Sequence, residues 1–196
     1  MIPTGIYRYE IRSGHELIAV EEDRFAGGAI SGTRRATGGS GEFHVDAELD
    51  DAGRIVGVKA RYARGPFSRS AAYEAKEDFL RGHVNAVGGR TVETAKLGRL
   101  REIDAGLVLF RALILAHIRE RGEKRWTGRV ATIDPDTLVA RSPKQTCRLK
   151  EKTQTTWLYE PRMGDSEEVE LDEIGRIVKI RDNRGTTVSM VGFESI

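Results

Sequence analysis

A nine-residue phrase occurs twice in this chain. Glu48-Leu49-Asp50-Asp51-Ala52-Gly53-Arg54-Ile55-Val56 returns 122 positions later, from 48 to 170, as Glu170-Leu171-Asp172-Glu173-Ile174-Gly175-Arg176-Ile177-Val178, with seven of the nine residues identical. Each copy reads as a strand, an Asp- and Gly-containing tight turn, and a second strand. A chain that spells the same β-hairpin twice is expected to consist of two related β-halves. Two such halves folded against each other enclose a space, so the function turns on what occupies it.

Period-2 alternation governs most of the first 85 residues. Between Glu42 and Asp50, Phe43, Val45, Ala47 and Leu49 fall on one face and Glu42, His44, Asp46 and Glu48 on the other. That pattern belongs to a half-buried strand, with the His44 face in solvent. The return strand is expected to place Val56, Val58, Ala60 and Tyr62 together, with Ile55 opposite. Asn85 to Arg90 reads as a loop. From Asp104 the period changes to that of a helix running to about Arg121, with Asp104 as N-cap and Gly122 as stop. Leu107, Phe110, Ile114 and Ile118 share a stripe that Val108, Leu113 and Leu115 widen. A helix apolar over so much of its circumference must be buried on more than one side. After Trp126 the β pattern returns, including strands over Thr137 to Arg141 and Glu167 to Asp172. The expected architecture is a single mainly β domain with one central helix, a duplicated spiral β-roll or open antiparallel barrel. It divides into a first β-half (1–88), a loop and helix (89–126) and a second β-half (127–196).

Composition narrows the function classes. With 32 basic and 30 acidic residues interspersed, the net charge of +2 forms no basic footprint for nucleic acid. The single cysteine, Cys147, excludes an intrachain disulfide and reads as a buried thiol in a strand. No apolar run is long enough to span a membrane, and the first residues lack the pattern of a signal peptide, which points to a cytoplasmic protein. His15, His44, His83 and His117 are scattered, so no metal is expected. No Gly-x-Ser-x-Gly elbow occurs, and Gly27-Gly28-Ala29-Ile30-Ser31-Gly32 leads into a strand where a phosphate loop would open a helix. No cofactor is implied.

Several phrases resemble the bacterial putative glycolipid-binding family. They are Ile103-Asp104, Leu109-Phe110-Arg111-Ala112-Leu113, Ala131-Thr132-Ile133-Asp134-Pro135-Asp136-Thr137-Leu138-Val139, Gln145 ahead of Cys147-Arg148-Leu149, and the hairpin from Leu171-Asp172 through Gly175 to Val178. The resemblance implies a spiral β-roll with internal duplication and a lipid-like ligand. This chain departs from the family pattern in having one arginine where two are usual, since Ala112 fills the second place.

The candidate ligand-binding residues are Tyr62, Tyr73, Arg111, Gln145, Trp157 and Tyr159. The aromatic ones could line a cavity or simply fill the core. Arg111 lies mid-helix among apolar residues, where an unpaired charge costs several kcal/mol. It therefore pairs with a carboxylate or meets an anionic or polar head group in the cavity, and His117 could share its face. The first functional reading is a binding protein for a small hydrophobic or amphipathic ligand. The alternative is a cofactor-free lyase, isomerase or hydrolase acting on a small hydrophobic or aromatic substrate in the same cavity, with Tyr73 or Tyr159 as acid, a His or carboxylate as base, and Arg111 stabilising negative charge. A homodimer through an exposed strand such as Glu167 to Asp172 is a further possibility.

Overall fold

The computed structural model describes residues 2–39, 41–150, 155–162 and 164–196. Its strands are β1 (Gly5–Ser13), β2 (Glu16–Ala26), β3 (Ala29–Ala36), β4 (Glu42–Leu49), β5 (Ile55–Arg64), β6 (Phe67–Lys76), β7 (Phe79–Ala86), β8 (Gly89–Lys96), β9 (Ile103–Asp104), β10 (Arg125–Arg129), β11 (Ala131–Ile133), β12 (Ala140–Arg141), β13 (Lys144–Leu149), β14 (Thr156–Arg162), β15 (Asp165–Leu171), β16 (Ile177–Asp182) and β17 (Thr186–Ser195). The helix α1 spans Val108–Glu120. Fourteen strands form one antiparallel sheet in the order β10-β13-β14-β15-β16-β17-β1-β2-β3-β4-β5-β6-β7-β8. Two meanders are thus joined where the ends of the chain meet, with Gly5 opposite Ser195 and Ser13 opposite Thr186. The sheet nearly closes into a barrel, and the short sheet β12-β11-β9 lies by the seam between β8 and β10. There Gly98 passes so close to Arg129 that a Cβ would stand 2.0 Å from its carbonyl oxygen, so only glycine fits.

The repeated phrase folds the same way in both places. In the first copy Asp50 accepts from the Arg54 amide (2.9 Å) and from Arg54 Nε (3.1 Å). In the second, Asp172 accepts from the Arg176 amide (2.9 Å) and from Arg176 Nε (2.6 Å). Both hairpins carry a bulge at the same point, between Glu48 and Leu49 and between Glu170 and Leu171. The bulge corrects the expected facing of β5. One extra residue, Val56, is inserted, so Ile55 turns into the core at 5% exposure while Val56 faces out at 38%.

Three other expectations change. Residues 89–96 form β8, because Gly89 begins a strand paired with Ala86 and only a tight turn separates β7 from β8. Thr137 to Arg141 is mostly loop. Asp134 binds the amides of Asp136 (3.1 Å) and Thr137 (2.8 Å), which coils the chain. Leu138 then adopts φ +60 with its side chain fully buried. Strand β15 is paired on both sides, with β14 and β16, so Glu167 to Asp172 offers no free edge to a second copy.

The core lies inside the curve of the sheet and is filled by α1. Leu109, Phe110, Ile114, Leu115 and Ile118 are fully buried, each stabilising the fold by about 1.5–3 kcal/mol. Tyr7 and Tyr9 of β1, Ile30 of β3 and Val45 of β4 meet the helix in the same apolar cluster. The helix stops as expected, with the Gly122 amide bonded to the Arg119 carbonyl at 2.9 Å. It begins later than expected. Asp104 lies in β9, and the N-cap is Leu107, whose side chain cannot accept a hydrogen bond. Strand β2 supplies the missing acceptors: Glu21 Oε1 takes the Val108 amide (2.6 Å) and Asp23 Oδ2 takes the Leu109 amide (3.1 Å). Two buried carboxylates from a distant strand thus satisfy the helix N-terminus.

Candidate functional site

The helix brings one charge to the surface of its own core. Among residues 108–116 Arg111 is the single polar side chain, and it is 18% exposed. Its guanidinium bonds Asp104 Oδ2 at 3.2 Å and Glu167 Oε2 at closer range. Burial works against this charge, but Glu167 and Asp104 outweigh it and hold the pKa above the ordinary arginine value. The guanidinium also lies 4.9 Å above the centre of the Tyr159 ring. Pairing and cavity exposure, two readings of Arg111 open from sequence, are therefore both realised.

Arg111 stands at the floor of a cavity of about 590 Å³. One wall comes from β11 and the loops flanking β12, where Ile133, Pro135, Val139 and Pro143 form an apolar patch among Thr132, Asp134, Arg141 and Ser142. The facing wall is polar, with Glu167 of β15, Asp182 of β16 and the turn through Arg184. A smaller hollow of about 210 Å³ shares Gly106, Arg111, Glu167 and Asp182 and reaches Arg34 and Leu107. Glu167 has its pKa raised by burial, an effect reinforced by Asp104 and Asp182 and opposed by Arg111. A carboxyl so placed holds its proton more readily than a surface one.

Beneath the floor runs a buried polar arc. The Tyr159 hydroxyl donates to Gln145 Oε1, and Gln145 Nε2 donates to Thr132 Oγ1 at 3.2 Å. Thr132 lines the cavity, and Tyr159 is the ladder partner of Glu167 across β14 and β15. Tyr159 and Gln145 are both completely buried. Burial raises the Tyr159 pKa well above its ordinary value, which keeps the phenol a donor.

Of the six candidate residues, the fold joins Arg111, Tyr159 and Gln145 and separates the other three. Tyr73 donates to the Leu138 carbonyl at 2.6 Å, bracing the β11–β12 loop, and burial pushes its pKa up to about 12. Trp157 is 3% exposed and belongs to the core. Tyr62 lies half-buried beside Phe43 in a separate hollow. His117 points away from the cavity and bonds Glu102 at 2.7 Å. His44 lies on the outer face, held by Thr33 (3.0 Å) and Asp46 (3.0 Å).

Sequence reasoning missed Asp104 as a partner of Arg111, and Glu167 and Asp182 as walls of the mouth. It also missed Glu21 and Asp23, which look like surface charges within Glu21-Glu22-Asp23-Arg24. The available signal was the phase of the alternation, since Ala19, Glu21 and Asp23 share one face and Val20, Glu22 and Arg24 the other. Among the described residues, no group of three or more His, Cys, Asp or Glu could hold a metal ion, and no helix is long and apolar enough to cross a membrane.

No family model matches this sequence, and no curated protein matches it. Solved structures do. A crystal structure of a DUF1089 family protein from Pseudomonas aeruginosa matches with a TM-score of 0.58 at 17% identity, over 84% of this chain and 90% of that one. A beta-barrel-like protein of the domain of unknown function DUF1849 from Brucella abortus matches with a TM-score of 0.64 at 9% identity, over 98% of both chains. At these identities the likeness is one of fold, a barrel-like sheet.

Proposed function

We propose that the protein binds a small amphipathic ligand in the cavity floored by Arg111. The observation that carries this reading is an apolar patch and fixed polar groups in one cavity. Ile133, Pro135, Val139 and Pro143 offer apolar surface, and Arg111, Glu167 and Asp182 offer fixed hydrogen-bonding groups. Burying the apolar part of a ligand gains about 25 cal/mol per Å², and the polar wall sets its orientation. The cavity lies at the mouth of the barrel, since α1 and the buried aromatic residues fill the interior. A ligand therefore lies across the opening. The resemblance to glycolipid-binding sequences agrees with an amphipathic ligand.

The enzyme alternative rests on Glu167, a carboxyl with a raised pKa beside a guanidinium in an open cavity. In that reading Glu167 is the proton carrier and Arg111 the electrostatic stabiliser. Tyr159 would act through its hold on Gln145.

Native mass spectrometry of the purified chain, followed by solvent extraction, tests the binding reading. A co-purifying amphiphile is expected, and Val139→Trp, which fills the apolar wall, should abolish it. A chain that carries no adduct and binds no member of a panel of amphiphiles up to millimolar concentration would refute it.

A further inference from the structure

The charges around the mouth do not balance. Five carboxylates line the larger cavity (Asp104, Asp134, Asp165, Glu167 and Asp182) against three guanidiniums (Arg111, Arg141 and Arg184), a surplus of two negative charges. Arg184 is engaged by Asp165, and the charge of Arg141 acts on Asp134. Arg111 serves both Asp104 and Glu167. Asp182 accepts only from main-chain amides, those of Arg184 (2.9 Å) and Thr186 (2.7 Å), among the bonds that engage it. Arg34, on the rim of the smaller hollow, is committed to Glu21 and to the Gly106 carbonyl at 2.6 Å.

The placement of the surplus is specific. Glu167 and Asp182 are direct cross-strand partners in the β15–β16 ladder, and both line both hollows. Like charges directly opposite each other in a sheet are destabilising. The same row continues across β14 and β13 through Tyr159 and Cys147, both buried, so the two carboxylates are the outward end of an otherwise dry row. The guanidinium that pairs with Glu167 is Arg111 of the helix.

We propose that the cavity selects ligands with a positively charged head, an alkylammonium seated between Glu167 and Asp182, with its apolar part on the Pro135–Val139–Pro143 wall. This inference rests on the ligand-binding reading of the cavity and adds the sign of the head group. An ammonium relieves the repulsion between the two carboxylates and makes charge-assisted hydrogen bonds to them. An anionic head would find Arg111 already doubly paired and would meet uncompensated carboxylates on one side.

Calorimetric titration of the full chain with three decyl-chain probes below their micelle concentrations separates the outcomes. The probes are decylammonium chloride, decyl maltoside and sodium decanoate. Decylammonium is expected to bind at least about tenfold more tightly than decanoate, as one charge-assisted bond would give, and the gap should narrow in high salt. Asp182→Asn, whose amide oxygen can still accept the Arg184 and Thr186 amides, should reduce that preference severalfold. Decanoate binding as tightly as decylammonium, or an unchanged preference in Asp182→Asn, overturns the inference while leaving the ligand site standing. Binding of none of the three would remove the ligand site itself.

Discussion

Replacing Arg111 by alanine probes the site and the fold together. The substitution strips the partner from Asp104, whose side chain is 3% exposed, and from Glu167, at 15%. It also removes the stacking above Tyr159. Breaking a buried ion pair by deleting one member costs about 3–5 kcal/mol. Glu167 can offset part of this by taking up a proton, since its pKa is already raised, so about 3 kcal/mol is expected at neutral pH. For a chain of this length that corresponds to about 6–12 °C in Tm. The sign of the pH dependence follows from linkage. Without Arg111, Glu167, whose folded-state pKa is already raised by burial, loses the charge that opposes the rise. The variant's folded state then binds more protons than its unfolded state, and its relative stability improves as pH falls. Urea melts followed by circular dichroism at pH 7.5 and 5.5 should therefore show the deficit shrinking on acidification. Arg111→Lys, which keeps the charge but loses the fork that spans two carboxylates, should fall between. A deficit below about 1 kcal/mol, or one that does not change with pH, would refute the idea that Arg111 neutralises buried carboxylates.

Three further outcomes can be checked. Asp23 has its pKa raised well above the usual carboxylate range by burial and by Glu21, so its favourable contribution is complete at acid pH and is lost as pH rises toward its folded-state value; Asp23→Asn, which still accepts the Leu109 amide, should gain stability over the parent as pH rises from 5 to 8, and chemical melts showing a constant gap would contradict this. His117 has its pKa raised through its hydrogen bond to Glu102, so its stabilisation is present below the ordinary value of about 6.5 and fades as pH climbs through the folded one; an NMR titration with a midpoint below 6.5 would be the wrong sign. In Gly32→Ala the new Cβ would lie 2.3 Å from Asp23 Oδ1 and 2.5 Å from Leu107 Cδ1, so a loss of about 1–3 kcal/mol is expected, and an unchanged Tm would show that the helix cap yields freely.

What could be read from sequence was what local pattern controls. The face of β4 follows from alternation between Phe43 and Leu49, and the two turns follow from an Asp and a Gly three positions later. The helix was legible through its apolar stripe and its glycine stop. Its start was not, because the acceptors for its first amides come from Glu21 and Asp23, more than 80 positions upstream. A capping rule that looks for a local side chain picked Asp104, the nearest acid. The structure uses that acid to hold the Gly106 amide at 2.9 Å and Arg111. The facing of Ile55 failed for a related reason, since a bulge changes the phase of a strand without leaving a mark in its composition. Arg111 stood out because a charge inside an apolar helix demands an explanation whatever the fold. Glu167 and Asp182 did not, because acids on an alternating strand look like solvent-facing residues until the opposing strand is known.

Polar residues far apart in the sequence form one chain of contacts in the structure. Arg34 bonds Glu21 and the Gly106 carbonyl, the Gly106 amide bonds Asp104, Asp104 bonds Arg111, and Arg111 bonds Glu167. The chain begins at the helix N-terminus and ends at the mouth of the cavity. Its existence follows from α1 being apolar between Val108 and Ala116 except at Arg111. This stretch has no local side-chain acceptor for its first amides and no polar face to leave in water, so buried acids cap it and its one charge leaves through an opening. Buried acids need a cation, which Arg34 and Arg111 provide, and each cation carries further donors that recruit the next acceptor. The packing that makes α1 a core element thus also builds the polar floor of the cavity, with the surplus of carboxylates at its outer end.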